Sequence, residues 1–294
     1  MNKIDSHQHV FWHGKDDVGL IADMDEQEIS VAWLLTWEIL PFEHYPHYTE
    51  VLNPLRVRPD GSLEGIPLDD LLIARNKYPD RFVLGFCPHP LKGNASARLT
   101  SAARIHGARV CGEWKFRIPF DDPRCIELFR TAGELDMPVV LHLDVPYLPD
   151  NSGKRIYQQN WYGGTVENLE RALILCRDTK FIGHAPGFWR EISADADSAG
   201  DVYPTGAVKA PGKLQKLIDK YPNLFADLSA GSALLALRRD PDYAKTFLIN
   251  YADRLLFGRD FYGGELDEFL CGLDLPIHVK ERIFFKNATK LLSS

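Results

Sequence analysis

The chain has 294 residues, 45% of them apolar and 26% charged, which is ordinary for a globular protein and enough for one barrel-sized domain or two smaller ones. A formal charge of −7 offers no general basic surface to a polyanion, so nucleic acid is not expected as a partner. The five cysteines are widely spaced with no Cys-x-x-Cys pair, which suits a reducing compartment better than a disulfide framework.

Short apolar runs bounded by turn residues alternate with segments of helical period. The first run, residues 4–11, contains Asp5-Ser6-His7-Gln8-His9. Residues 30–37 are the second strand, followed by a long connection, 38–67, that carries Pro, Gly, His44, His47 and aromatics without periodicity. A helix over 68–78, a strand over 82–87 with His89 just beyond it, and a helix over 95–106 come next. The fourth strand, 108–116, contains Gly112-Glu113-Trp114-Lys115-Phe116. After a helix over 123–135, the fifth strand, 138–144, holds His142 near its end and Asp144 two residues on. A loop, 145–164, and a helix, 165–177, lead to the sixth strand, 180–185, in which His184 stands at the end. A third long connection, 186–212, precedes a helix over 213–221 and the seventh strand, 224–229. A helix over 233–250 and the eighth strand, 255–261, which carries Asp260, complete the series. Strands that do not alternate in polarity, each followed by a helix, point to a parallel sheet covered on both faces. Eight such units in 294 residues predict a single closed (β/α)₈ barrel over 1–294, and no Gly-rich phosphate loop follows the first strand as a Rossmann fold requires. The three long connections all follow strands, so they gather at the C-terminal mouth, where barrel active sites lie.

Side chains two apart on a strand share a face, so His7 and His9 can reach one ion from the barrel interior. His142, His184 and Asp260 each end an apolar strand, where an unpaired polar side chain is costly. The five make a ligand set with room for water or substrate. Glu113 and Lys115 also share a face; either could bridge two ions, or the two could form an ion pair in the mouth.

These residues together resemble the amidohydrolase superfamily, in the branch of barrel enzymes related to aminocarboxymuconate-semialdehyde decarboxylase. The resemblance spans nearly the whole chain. It implies that His7, His9, His142, His184 and Asp260 hold a divalent metal and its water, with Asp260 also taking the proton of the attacking water. Members with two metals place a carboxylated lysine or a glutamate on the fourth strand, so Glu113 is expected among the ligands. Gly112-Glu113 also resembles TatD-like metal-dependent deoxyribonucleases. Zn²⁺ is the expected ion, with one or two ions and Mn²⁺ left open.

Lys115, Arg117 and Arg190 are expected to bind the substrate, because cationic forks near a metal suit an acidic molecule. Arg259 points the opposite way from Asp260 and reads as a partner for a helix. His13 and some of Trp12, Trp37, Tyr147, Trp161, Tyr162, Phe188 and Trp189 are candidates for pocket walls. Asp144 is a candidate acceptor behind His142. The leading expectation is a hydrolase in which metal-bound hydroxide attacks an ester, lactone or amide carbonyl. The alternatives are a decarboxylase or hydratase on the same ligands, a TatD-like nuclease, and a catalytically silent binding barrel. No run reaches the roughly 18 apolar residues of a membrane span and the start lacks a signal-peptide pattern. A cytoplasmic protein with a small-molecule substrate is expected, its homo-oligomeric state left open.

Overall fold

The computed structural model describes residues 2–293. Eight parallel strands are β1 (Ile4–Gln8), β2 (Val31–Leu34), β3 (Phe82–Leu84), β4 (Cys111–Trp114), β5 (Val139–His142), β6 (Phe181–His184), β7 (Leu224–Asp227) and β8 (Leu255–Leu256). Ladders join β1–β2–β3 and β4–β5–β6–β7–β8. Main-chain hydrogen bonds cross both seams. Between β3 and β4, Arg109 donates to Leu84 (2.8 Å) and Phe86 to Val110 (2.8 Å). Between β8 and β1, Ser6 donates to Phe257 (2.9 Å) and Asp260 to His7 (2.8 Å). The chain is therefore the (β/α)₈ barrel that its alternation predicts.

Two apolar layers hold it together. The larger lies between strands and helices, and the smaller fills the barrel with Ile4, Trp33, Val83, Val110, Val140, Ile182, Phe225 and Leu256. Each strand contributes one of these, and Leu291 and Leu292 of the last helix close the bottom. Counting by twos from this layer leads to the mouth: Val140 to His142, Ile182 to His184, Phe225 to Asp227, and Leu256 through Gly258 to Asp260. On β1 and β4 the count needs three, Ile4 to His7 and Val110 to Glu113. Those two strands carry the register irregularities, between Asp5 and Gln8 and between Cys111 and Trp114. An extra residue re-aims a strand end, and here it aims His7 and Glu113 inward.

The strands are shorter than the apolar runs, because pairing stops where the loops take over. A helix over Asp17–Glu26, capped by Asp16, escapes the sequence reading. Its buried face includes Asp17 and Asp23, which pair with Lys77 (2.7 Å) and Arg259 (2.7 Å), so its apolar stripe is interrupted. The helix expected over 233–250 is two, Ala230–Arg238 and Pro241–Asn250, broken where Asp240 caps the second and Pro241 cannot continue the first. The long connections hold short structure of their own. Trp37–Glu38 pairs with Gly65–Ile66, and Tyr147–Pro149 pairs with Arg155–Tyr157. No helix among the described residues is long and apolar enough to cross a membrane.

Candidate metal centre

Six side chains from five strands converge at the mouth: His7 and His9, Glu113, His142, His184 and Asp260. All are buried except the partly exposed Asp260. Glu113 is the hub. Its Oε1 lies 2.6 Å from His142 Nδ1 and 3.8 Å from both His7 Nε2 and His184 Nε2, while its Oε2 lies 3.5 Å from His9 Nε2. Asp260 closes the other side, with Oδ1 3.4 Å from His9 Nε2 and 3.7 Å from His7 Nε2, and Oδ2 3.5 Å from His184 Nε2. Two ligand triads share Glu113, one with His7 and His9 and one with His142 and His184.

Acceptors behind the ring fix which nitrogen faces inward. His7 and His184 both donate from Nδ1 to the two oxygens of Asp227, at 2.8 and 2.9 Å. His9 donates from Nδ1 to the Leu35 carbonyl at 2.8 Å. In its neutral form each presents the Nε2 lone pair toward the ring, as a metal ligand needs. His142 is turned the other way: its Nε2 faces Asp144 at 3.0 Å and its Nδ1 faces Glu113. Asp227 is held in turn by Ser229 Oγ (2.6 Å), and its main-chain carbonyl accepts from Trp189 Nε1 (3.0 Å). Burial opposes ionisation of Asp227, but His184 and His7 outweigh it and hold the carboxyl far below its usual range.

Whether these residues fit an ion is answered by two atoms and by the charges. His7 Nε2 and Asp260 Oδ1 are buried and have no hydrogen-bond partner, and both point into the ring. An unpaired buried polar atom is costly, and a cation between them would satisfy both. Burial alone disfavours protonated histidines, yet Asp260 and Glu113 push His9 up to about 9. At His184, Asp227 and Asp260 overcome burial and push it up to about 10. Burial likewise opposes ionisation of Glu113 and Asp260. Lys115 and His142 nevertheless hold Glu113 well below the carboxylate range, and His7, His184 and His9 do the same for Asp260. The ring therefore calls for positive charge, and its nitrogen and oxygen donors suit a divalent ion.

The backbone is strained at these strand ends. Asp260 has φ 51° and Ala185, directly after His184, has φ 82°. Such non-glycine conformations cost on the order of 1–3 kcal/mol and persist where the surroundings fix them. Asp260 is fixed by its N–H to the His7 carbonyl and by Trp12 Nε1 on its own carbonyl (3.3 Å).

Of the expected substrate-binding residues, Lys115 faces the ring region. Its ammonium lies 4.3 Å from the centre of the Trp37 ring and 5.5 Å from that of Tyr162, and its charge acts on Glu113. Arg117 lies further along the same segment, with a guanidinium nitrogen 3.4 Å from Asn160. Arg190 does not join them. It is buried under the 186–212 loop, where its guanidinium donates to the carbonyls of Ala196 and Ala199. Arg259 points away from the ring, as strand alternation predicts, onto Asp5 (2.8 Å) and Asp23 (2.7 Å). His13, Trp12 and Phe261 line a cavity of about 420 Å³ that has Asp260 in its wall. Phe188 and Trp189 are buried beneath the loop, and Trp189 lines a cavity there with Pro186 and Tyr203, away from the ring. His89 is a clamp: its Nε2 meets Glu43 (2.9 Å), whose other oxygen accepts from the Arg117 N–H (2.8 Å), tying loop 38–67 to β3 and β4. Asp227 is the residue that sequence reasoning missed, although an aspartate ending the apolar Leu224-Phe225-Ala226 carried the same signal as Asp260.

No protein-family model and no curated protein matches the chain. Solved structures do resemble it. 5-Carboxyvanillate decarboxylase from Sphingomonas paucimobilis has 14% identity and a TM-score of 0.61, over 99% of this chain and 98% of that one. A dihydroxybenzoic acid decarboxylase from a Polaromonas species, solved with bound manganese and the inhibitor 2-nitroresorcinol, has 16% identity and a TM-score of 0.56, over 99% and 97%. A protein described as a probable 2-pyrone-4,6-dicarboxylic acid hydrolase, from Acinetobacter baumannii with citric acid bound, has 15% identity and a TM-score of 0.54, over the full length of both. At such identities the likeness establishes architecture: this chain has the TIM-barrel fold on which those decarboxylases and that hydrolase are built.

Proposed function

We propose that the protein is a divalent-metal-dependent enzyme of the amidohydrolase type that acts on a small organic acid. The observation that carries this reading is the ring itself, whose inward nitrogens are fixed by Asp227 and Leu35 and which leaves His7 Nε2 and Asp260 Oδ1 unpaired. His7, His9, Glu113, His142, His184 and Asp260 are the proposed ligands. Zn²⁺ is the proposed ion and Mn²⁺ suits the same donors. The place of Glu113 in both triads supports a bridge between two ions as well as a single shared one. A bound ion polarises a carbonyl and lowers the pKa of a neighbouring water toward about 7.

The protein's own groups do the rest. Asp260 is the most open member of the ring, with 14% of its side chain exposed and one unpaired oxygen, so it is the proposed acceptor for the proton of the attacking water. Lys115 has no carboxylate within ion-pair distance among the described residues, and its ammonium is the proposed seat of a substrate carboxylate. With these groups the leading reaction is hydrolysis of an ester, lactone or amide of an organic acid. Decarboxylation is the second reading. It is favoured by the likeness to two decarboxylases, and in it Asp260 handles the proton exchanged for carbon dioxide.

The test is a screen of acidic lactones, esters, amides and hydroxybenzoates against Zn²⁺- and Mn²⁺-loaded protein, followed by Asp260→Asn on whichever substrate turns over. The variant is expected to retain its metal and lose about 10²–10⁴ in rate, the usual contribution of a positioned acid–base group. A rate within a few-fold of the wild type would remove Asp260 from the chemistry.

A further inference from the structure

A second cavity, of about 320 Å³, lies between the Tyr147–Tyr157 hairpin, the 186–212 loop and the start of the Val166–Leu175 helix. It shares no lining residue with the ring. Its walls combine apolar side chains, such as Val145 and Val166, with six charged ones. Four of the six are already engaged. Lys213 pairs with Asp197 (2.7 Å) and Glu167 (3.3 Å), and Arg190 donates to the loop carbonyls of Ala196 and Ala199.

The other two are Glu191 and Arg155. Glu191 is only 7% exposed, yet its carboxylate has no hydrogen-bond or ion-pair partner among the described residues. The charged groups that act on it are Lys213, Asp197, Arg190 and Glu167, all of them cavity walls, so the carboxyl faces the cavity. Arg155 stands exposed on the hairpin side, and its guanidinium too has no partner among the described residues. A free anion deep in the cavity and a free cation at its edge, too far apart to pair with each other, invite one molecule that carries both complementary charges. We infer that this cavity binds a small zwitterionic amino acid, with its ammonium on Glu191 and its carboxylate on Arg155.

The charge state of Glu191 gives the site a signature. Burial, against the pull of Lys213, pushes its carboxyl up to about 7, with Asp197 and Glu167 adding to the rise and Arg190 opposing it. An ammonium beside it favours the ionised form, so binding releases a proton near neutral pH and tightens as the pH rises from about 6 to about 8.

Isothermal titration of the full-length protein with glycine, β-alanine, 4-aminobutanoate and 6-aminohexanoate samples a range of charge separations. At least one is expected to bind with a Kd below about 1 mM at about pH 8 and several-fold more weakly at about pH 6. Butylamine and butanoate, which carry one charge each, are expected to bind at least about tenfold more weakly, as are Glu191→Gln and Arg155→Gln with the best ligand. Arg155 is exposed on a hairpin, so its variant tests the site without threatening the fold. No saturable binding by any of the four amino acids, unchanged affinity in either variant, or affinity independent of pH across that range would each overturn the assignment.

Discussion

Asp227 is the residue on which the orientation of two proposed ligands, His7 and His184, depends at once, and its replacement by asparagine is a sharp test of the ring. The carboxylate accepts Nδ1–H from His7 at 2.8 Å and from His184 at 2.9 Å, one on each oxygen. An amide of the same shape has one accepting oxygen and one donating NH₂. Only one imidazole can then keep its Nδ1–H toward position 227. The other meets a donor, moves its proton to Nε2, and loses the lone pair that faces the ring. Loss of a single outer partner costs about 10–100-fold in metal affinity. Because the amide oxygen still serves one histidine, Asp227→Asn should fall in that range, equivalent to roughly 1.4–2.7 kcal/mol. Asp227→Ala leaves His7 with no acceptor and His184 with only Ser229 Oγ, 2.7 Å from its Nδ1, and should lose more than the asparagine variant. Competition against a chromophoric chelator measures both, with circular dichroism to confirm the fold. Affinity of the asparagine variant within about threefold of the wild type would refute the idea that Asp227 sets the tautomers.

The charges in and around the ring set two more outcomes. His9 and His184 are raised to about 9 and 10 in the metal-free protein, so at neutral pH an incoming ion must displace their protons. Apparent metal affinity should therefore climb steeply from about pH 7 to about 9, approaching about 100-fold per unit for two protons, while a flat profile would mean that neither is a ligand. By the same linkage, the stability these protons lend the metal-free protein is complete below about 6.5 and is lost as pH rises through about 9 and 10. Away from the ring, Arg259→Gln leaves Asp5 buried without its cation and Asp23 with only Lys15 (3.4 Å), at a cost of about 3–5 kcal/mol in urea denaturation. A loss under about 1 kcal/mol would show that the pair contributes little beyond its own desolvation.

Much of the site was legible because its residues contradict their surroundings. A histidine or aspartate that ends an apolar strand is out of place unless it has a partner, and strand alternation brought His142, His184 and Asp260 to one side and sent Arg259 to the other. What sequence could not show is where alternation fails. The irregularities in β1 and β4 aim His7 and Glu113, and nothing in Asp5-Ser6-His7 or Cys111-Gly112-Glu113 marks an extra residue. Arg190 was unreadable for a related reason: its guanidinium serves carbonyls whose position depends on the folded loop. The Asp17–Glu26 helix was hidden by long-range pairing, since two of its core-facing positions are acids matched by Lys77 and Arg259.

The most direct measurement of the central claim is the metal content of the protein, by elemental analysis after dialysis against Zn²⁺ or Mn²⁺ and removal of free ion. The wild type should retain one or two equivalents. His9→Ala, which removes a proposed ligand whose Nδ1 is anchored on Leu35 but leaves every strand in place, should retain distinctly less while its circular dichroism is unchanged. A wild-type protein that holds no ion after reconstitution, or a His9→Ala variant that holds as much as the wild type, would contradict the assignment of this ring as a metal centre.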